Sequence, residues 1–427
     1  MKRTLKKKRL KYRRSRVILL CTIVLTIVLA LIFTSVFIFN TIFNSSDDNS
    51  NKNENPVTNS KNNMNIKLSA VGDIMVHDDQ LKAQFDSKNK TYNFDNNFKY
   101  IKPYISNSNL VIANLETTLA GSDAGYSSFP RFNSPDELAD SIKNSGFDIV
   151  STINNHAYDR GSDSVYRTLD VLRSKNLKIV GTKKNSDSDN FLIQDVDGVK
   201  LGITSYSYGQ VSSNNKALNG LPIKSSDLNN MNIFSYHDVD SAFNEITTTL
   251  DNMNKNKTDL QVVVLHWGNE YERNPNEFQI ELANKLCDYG VDIIIGSHPH
   301  VVQPIEMIKS TKNNNETLVI YSMGNFLSNQ RNEILNKNYT EDGVMVNIDI
   351  NKNLKTDKTT ISGVEYIPTW VNKYTNKDGK LTYEIIPIIN KDQLSNIKDL
   401  PLDKVENSYN NTTSIIKSSD IIKVKNN

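Results

Sequence analysis

From Ile66 onward, short apolar runs alternate with amphipathic stretches, and no other feature limits the possible folds so strongly. The runs IKLSAVGD, NLVIANLE, FDIVSTINNH, LKIVGT, VKLGITSYSY, LQVVVLHWGNE, VDIIIGSHPH and TLVIYSMGNF are rich in β-branched residues. They read as buried strands, because such runs are too short for helices and carry strand formers. Between several of them lie helical patterns: PDELADSIKNSG, SVYRTLDVLRSKN, DSAFNEITTTLDNMNK and NEFQIELANKLCDYG. Strand alternating with helix predicts an α/β body with at least partly parallel pairing. After Gly343 the pattern is strand-like only (GVMVNIDI, TTISGVEYIP, LTYEIIPII), and from about Lys391 it turns into a polar segment, helical or loose. No fixed-period repeat is present.

The N-terminal part obeys other rules. Residues 1–16 hold ten lysines and arginines and no acid, and Val17 to Phe39 is an uncharged apolar run. That run reaches about 34 Å as a helix, enough for a hydrocarbon core of about 30 Å. A cleaved signal has a shorter apolar region and a small-residue cleavage site, whereas this run ends in VFIFN. The expectation is an uncleaved single-pass anchor over 17–39. The positive-inside rule then puts the basic tail (1–16) in the cytoplasm and the rest outside the cell. Residues 40–65 are polar and read as a disordered linker, since they bury too little apolar surface to offset ordering entropy. A globular body over 66–390 and the tail 391–427 complete the expected organisation.

The whole chain has 427 residues and a formal charge of +2, but its basic charge is concentrated in the tail. The remainder keeps 40 of the 50 basic residues against 48 acidic ones, a net of −8. A nucleic-acid partner is therefore not expected, because it needs basic charge on the folded body. Cys21 falls in the apolar run and Cys287 in the body, so they cannot pair and no disulfide framework exists.

The strands share one property: polar side chains at their C-terminal ends, where open α/β sheets bind ligands. These are Asp73, Asn114, Glu116, Asn154, Asn155, His156, His266, His298, His300 and Asn325. A lone histidine or carboxylate there is usually a structural or capping residue. The cluster is different, because His298-Pro299-His300 follows one apolar strand directly and His266 ends another. Imidazole with carboxylate and carboxamide oxygen forms a borderline ligand set, suited to Zn, Mn or Fe. His237 lies in an irregular stretch and receives no role. Arg131 and Arg160 are candidates to hold an anionic substrate by bidentate contacts, and Trp267 to stack on it or to pack. Asn114 and Asn325, at strand ends, join this substrate-binding set.

In order and block for block, GDIMVH, VIANLETTLAG, STINNHAYDRG, VVVLHWGNEY, IIIGSHPHVVQPIE and VIYSMGNF resemble the CapA/PgsA capsule-synthesis family, which is associated with poly-γ-glutamate. That family is in turn similar to the calcineurin-like metallophosphoesterases. The resemblance covers about residues 66–330. It implies a metallophosphoesterase-like four-layer α/β/β/α sandwich behind the single transmembrane helix, the strands after Gly343 completing the second sheet. It also implies one or two divalent ions: Asp73 and His300 on one, Asn155, His266 and His298 on the other, and Glu116 bridging. His156 would be the proton donor beside them. Two departures stand out. The phosphoesterase pattern has Asp-x-His at the first strand, and the third position here is Met75, which leaves His77 as a substitute ligand from further along the turn. The bridging Asp is here Glu116. The implied partners are the membrane, poly-γ-glutamate or a related capsule polymer, and membrane synthase subunits. No P-loop is present to supply ATP-dependent ligation. Three functions stay open: a membrane-anchored component of capsule polymer assembly, an extracellular metal-dependent phosphoesterase or other hydrolase, and a non-enzymatic polymer-binding scaffold.

Overall fold

The computed structural model describes residues 62–184, 189–212, 215–389, 394–397 and 400–425. The basic tail, the 17–39 anchor and nearly all of the 40–65 linker lie outside the described residues. Among those described, no helix is long and apolar enough to cross a membrane.

The principal elements in chain order are β1 (Asn63–Ile74), α1 (Asp78–Gln84), β2 (Leu110–Leu115), α2 (Glu137–Asn144), β3 (Ile149–Ser151), α3 (Ser162–Ser174) and β4 (Lys178–Val180). There follow β5 (Phe191–Val196), β6 (Val199–Ser212), β7 (Asn215–Leu218), β8 (Leu221–Pro222), β9 (Ile233–Ser235), α4 (Val239–Asn254), β10 (Leu260–His266), α5 (Glu277–Tyr289) and β11 (Ile293–Ser297). The chain ends with β12 (Ile305–Lys309), β13 (Glu316–Ile320), β14 (Asn325–Leu327), β15 (Asp342–Asn353), β16 (Lys358–Thr375), β17 (Leu381–Pro387), α6 (Leu402–Ile415) and β18 (Ile422–Val424).

Two large sheets result. The first runs β17-β16-β15-β1-β2-β3-β4, with β14 on β1 and β18 on β16; the second runs β8-β7-β6-β10-β11-β13-β12, with β5 and β9 on β6. Their centres are parallel, as the strand–helix alternation predicts. The long strands after Gly343 join the first sheet, not the second, because β15 pairs antiparallel with β1 along most of its length. That pairing starts at Asn63, so the linker expectation fails over Asn63 to Asn65, which face Asn351 to Asn353. The polar tail contains a helix, α6, and a strand, β18, that pairs with β16.

Alternation along each strand builds the layers. Ile66, Leu68 and Ala70 of β1, Leu110 and Ile112 of β2, Val262 and Val264 of β10, and Ile293 and Ile295 of β11 share one core between the sheets. The intervening residues face outward. Val111 and Ala113 pack with Leu138, Ala139 and Ile142 of α2, and Val263 and Ile294 with Ile246, Leu250, Leu282 and Leu286 of α4 and α5. The order is thus helix, sheet, sheet, helix. Truncating a central residue such as Ile112 to alanine would cost about 2–5 kcal/mol. Helix ends are defined locally: Asp238 caps α4, and α5 has an Asn276/Gln279 capping box and a left-handed Gly290 after its last turn.

Asp342 starts β15 and shows how burial taxes a carboxylate. It accepts Asn411 Nδ2 of α6 at 2.9 Å and is nearly fully buried. Burial pushes its pKa up to about 6 from the ordinary 3.8, against the hydrogen bonds that lower it. A raised carboxyl pKa stabilises the fold below the unfolded value and loses that contribution as pH rises through the folded value. The loss at pH 8 is about 3 kcal/mol. Asp342→Asn is therefore expected to raise the melting temperature at pH 8 and to lose that advantage near pH 4; an equal effect at both pH values would contradict the burial account.

Candidate metal centre

The face that carries the inter-sheet core turns polar at the C-terminal end of each central strand. Continuing the alternation past Ile112, Val264 and Ile295 leads to Asn114, His266 and Ser297. Beyond Ile149 and Ile203 it leads to Ser151 and Ser205, whose hydroxyls meet at 2.7 Å across the two sheets. Apolar packing thus holds the sheets together below, and a buried polar cluster closes the gap above.

Backbone approach shapes this cluster. A Cβ on Gly72 would stand 1.8 Å from the Gly324 carbonyl oxygen, so only glycine lets β1 run against the turn before β14. The same carbonyl accepts the Asp73 N–H at 3.0 Å, fixing the backbone of Asp73. His298 and His300 have φ of +102° and +57°, a conformation costing about 1–3 kcal/mol each and typical of functional turns. The His298 N–H faces Asp73 Oδ2 at 3.4 Å, and the Pro299 carbonyl accepts the Tyr271 N–H at 2.8 Å.

Three interlocking groups follow. Glu116, His266 and His298 bring ligand atoms within 4.8 Å of one another, as do Asp73, Glu116 and His300, and also Glu270, His298 and His300. His266 Nε2 lies 2.9 Å from Asn155 Oδ1 and 3.6 Å from Glu116, while its Nδ1 is 3.0 Å from Ser297 Oγ. His300 Nδ1 is 3.2 Å from Asp73 Oδ2 and 3.1 Å from Asn325 Oδ1, and its Nε2 is 3.7 Å from Glu116. Glu116 is fully buried and neither carboxylate oxygen has a hydrogen-bond partner; His298 Nδ1 is also orphaned.

The electrostatics point the same way. Burial first, then Asp73 and Glu270, push the Glu116 pKa well above the ordinary value. Burial first, then neighbouring imidazoles, push His266 and His298 well below theirs, so both are neutral with lone pairs to offer. Among the described residues, no lysine or arginine pairs with Asp73 or Glu116. Unpartnered buried carboxylate, neutral imidazole and carboxamide oxygen are the donors a divalent cation needs, and a cation there would remove the desolvation cost. The residues fit such an ion.

His156 stands beside this set. Its Nδ1 is 2.8 Å from Asp159 Oδ2, which also accepts the Phe132 N–H at 2.6 Å, and its ring meets Phe132 edge-on at 4.7 Å. The adjacent Asn155 reaches His266. Other expectations need correction. Trp267 is fully buried in the helix-facing core and donates Nε1–H to the Tyr321 carbonyl, so it cannot stack on a substrate. The Asn114 amide donates to Asp73 Oδ1 at 2.7 Å and accepts from Asn154, and the Asn325 amide serves His300, Thr340 and Gln330. Both position ligand side chains. His77 does not join any of the three groups; its Nδ1 accepts the Asn329 N–H and it caps α1. Met75 is buried and outside the groups. Arg131 is exposed and Arg160 half-buried, on the loop beside Phe132, and neither has a carboxylate partner among the described residues.

Sequence reasoning missed Glu270, Asp159, Tyr208 and Ser297. Asp159 is three residues beyond His156, a spacing that one turn closes. Glu270 is hidden by the loop that brings it back over His298 and His300. Tyr208 lies against His298 at 4.7 Å because β6 flanks β10, which in turn flanks β11, the strand before His298.

The family model described as "Bacterial capsule synthesis protein PGA_cap" matches residues 67–330, and the chain belongs to that family. It is 28% identical over 349 residues to the PGA biosynthesis protein CapA of Bacillus subtilis, covering 75% of this chain and 82% of that one. It is also 28% identical over 280 residues to the capsule biosynthesis protein CapA of Bacillus anthracis, covering 63% of this chain and 61% of that one. Solved structures that the chain matches include a Mycoplasma pneumoniae phosphatase (16% identity, TM-score 0.40, covering 71% of this chain and 93% of that one). Another is the calcineurin-like phosphoesterase YfkN from Bacillus subtilis (13% identity, TM-score 0.40, covering 82% and 98%).

Glu116 separates stability from metal binding. Its raised pKa means that the metal-free fold loses stability as pH rises through that value. In chelator at pH 8, Glu116→Gln is expected to melt higher than the unsubstituted protein. On adding Mn²⁺ at 100 times its Kd the unsubstituted protein gains about 2.7 kcal/mol and the variant does not. A variant less stable in chelator, or equally stabilised by metal, would contradict the assignment.

Proposed function

We propose that this protein is a membrane-anchored, extracellular component of poly-γ-glutamate or related capsule polymer synthesis, working through a metal centre at the strand ends. The observation that carries the reading is the buried, unpartnered Glu116 shared by two groups of metal-capable side chains in a member of a capsule-synthesis family. Asp73, Glu116 and His300 would hold one divalent ion, and Glu116, Asn155, His266 and His298 the other. Mn, Fe or Zn suits these donors. When bound, such ions supply Lewis-acid charge and activate water near neutral pH.

The chain's own residues supply the rest. Asp159 accepts the Nδ1 proton of His156 and so leaves Nε2 to give or take a proton at a leaving or attacking group. Phe132 fixes the tilt of that ring. Arg131 and Arg160 offer guanidinium groups to an anionic chain on the same side. Because the body outside the basic tail carries a net charge of −8, a polyanion would be repelled on average, and such local cations and the metals would have to attract it. ATP-dependent ligation would belong to partner subunits in the membrane.

His156 distinguishes catalysis from scaffolding. Loss of acid–base assistance costs about 10²–10⁴-fold in rate. His156→Ala is expected to keep its metal and its melting temperature yet fail to restore capsule polymer in a strain lacking the protein. Full restoration by His156→Ala, with failure of Glu116→Ala and His298→Ala, would favour the polymer-binding scaffold. Topology has its own test. Protease added to intact protoplasts should digest the body and spare the basic tail; a protected body would refute the extracellular anchor.

A further inference from the structure

Glu270 is the one solvent-exposed member of the three groups, and the sequence pattern gave it no role. It sits four residues past His266 on a loop whose path is fixed. Gly268 (φ +92°) turns against the Gln279 side chain, and Tyr271 (φ +68°) hydrogen-bonds to the Pro299 carbonyl between the two histidines. The Glu270 carboxylate is thereby aimed back at buried His298 and His300, and its charge acts on Glu116, Tyr208 and Tyr271. One of these imidazoles, His298, is buried with Nδ1 unpartnered.

The first strand leaves the matching gap. Met75 follows Asp73 by two residues, is buried, and offers only a thioether, a soft donor with little affinity for a hard divalent ion. His77, the nearest substitute in sequence, turns its Nδ1 to the Asn329 N–H and belongs to none of the three groups. The Asp73–Glu116–His300 position therefore has three buried ligands, and through His300 it shares a member with the group that contains exposed Glu270.

We infer that Glu270 is a direct ligand of the ion held by Asp73, Glu116 and His300, supplying from the solvent side the donor that Met75 does not. This rests on the metal centre proposed above. Three carboxylates then serve two divalent ions, an oxygen-rich set that favours Mn²⁺ over Zn²⁺ at this position. Because Glu270 is exposed, it can leave the ion without disturbing the core, so this ion exchanges more readily than its neighbour.

Mn²⁺ titration of the full chain, followed by calorimetry and by electron paramagnetic resonance, tests the assignment without reference to activity. The unsubstituted chain is expected to bind two Mn²⁺ with a spin-coupled signal. Glu270→Gln and Glu270→Ala should bind one with unchanged affinity and the second at least about 10-fold more weakly, since loss of even an outer-shell partner costs that much, leaving a mononuclear signal at low loading. His77→Gln, outside the groups, should behave as the unsubstituted chain. Two equally tight ions in the Glu270 variants, a stoichiometry of one in the unsubstituted chain, or loss of an ion in His77→Gln would overturn the role of Glu270. Absence of any Mn²⁺ binding by the unsubstituted chain would instead refute the metal centre itself.

Discussion

A carboxylate buried without a partner organises this molecule. Glu116 ends the inter-sheet face of β2 with both oxygens orphaned, close to His266 on one side and His300 on the other. Leaving such a group unpaired costs several kcal/mol, and the surroundings do little to relieve it within the protein. Much of the neighbouring structure instead holds ligands in place around it: Asn114 on Asp73, Asn325 on His300, Ser297 and Asn155 on His266. The apolar core between the sheets makes that arrangement rigid, and the left-handed turns at His298 and His300 are strain that the core supports.

The same architecture explains how much was legible beforehand. The central strands and four outer helices declare themselves, because each buries both faces or one stripe and so writes a periodicity into the sequence. The edge strands β5 and β12 are short and half-exposed, and their runs lack that signature. Pairing partners are also silent in periodicity: nothing local in GVMVNIDI says that β15 lies beside β1 in the first sheet. Asn63 to Asn65 look like linker by composition and become strand because β15 offers them a ladder to complete.

At the site, residue type and position at a strand end foretold which side chains converge, since strand ends in a layered α/β fold meet at one edge. What they do there was less legible. Trp267 sits at the predicted edge, yet it packs into the helix-facing core, while Asn114 and Asn325 hold Asp73 and His300. Glu270 and Asp159 act through turns whose course depends on backbone hydrogen bonds, not on spacing. Chemistry is thus readable where it falls on regular elements and hidden where loops fold back.

The most direct test of this account is anomalous diffraction at the manganese edge from crystals of the protein grown with Mn²⁺. The account predicts peaks in coordinating contact with Glu116, one also bounded by Asp73 and His300 and one by His266 and His298. Manganese found only on surface carboxylates, with no peak in contact with Glu116, would contradict it.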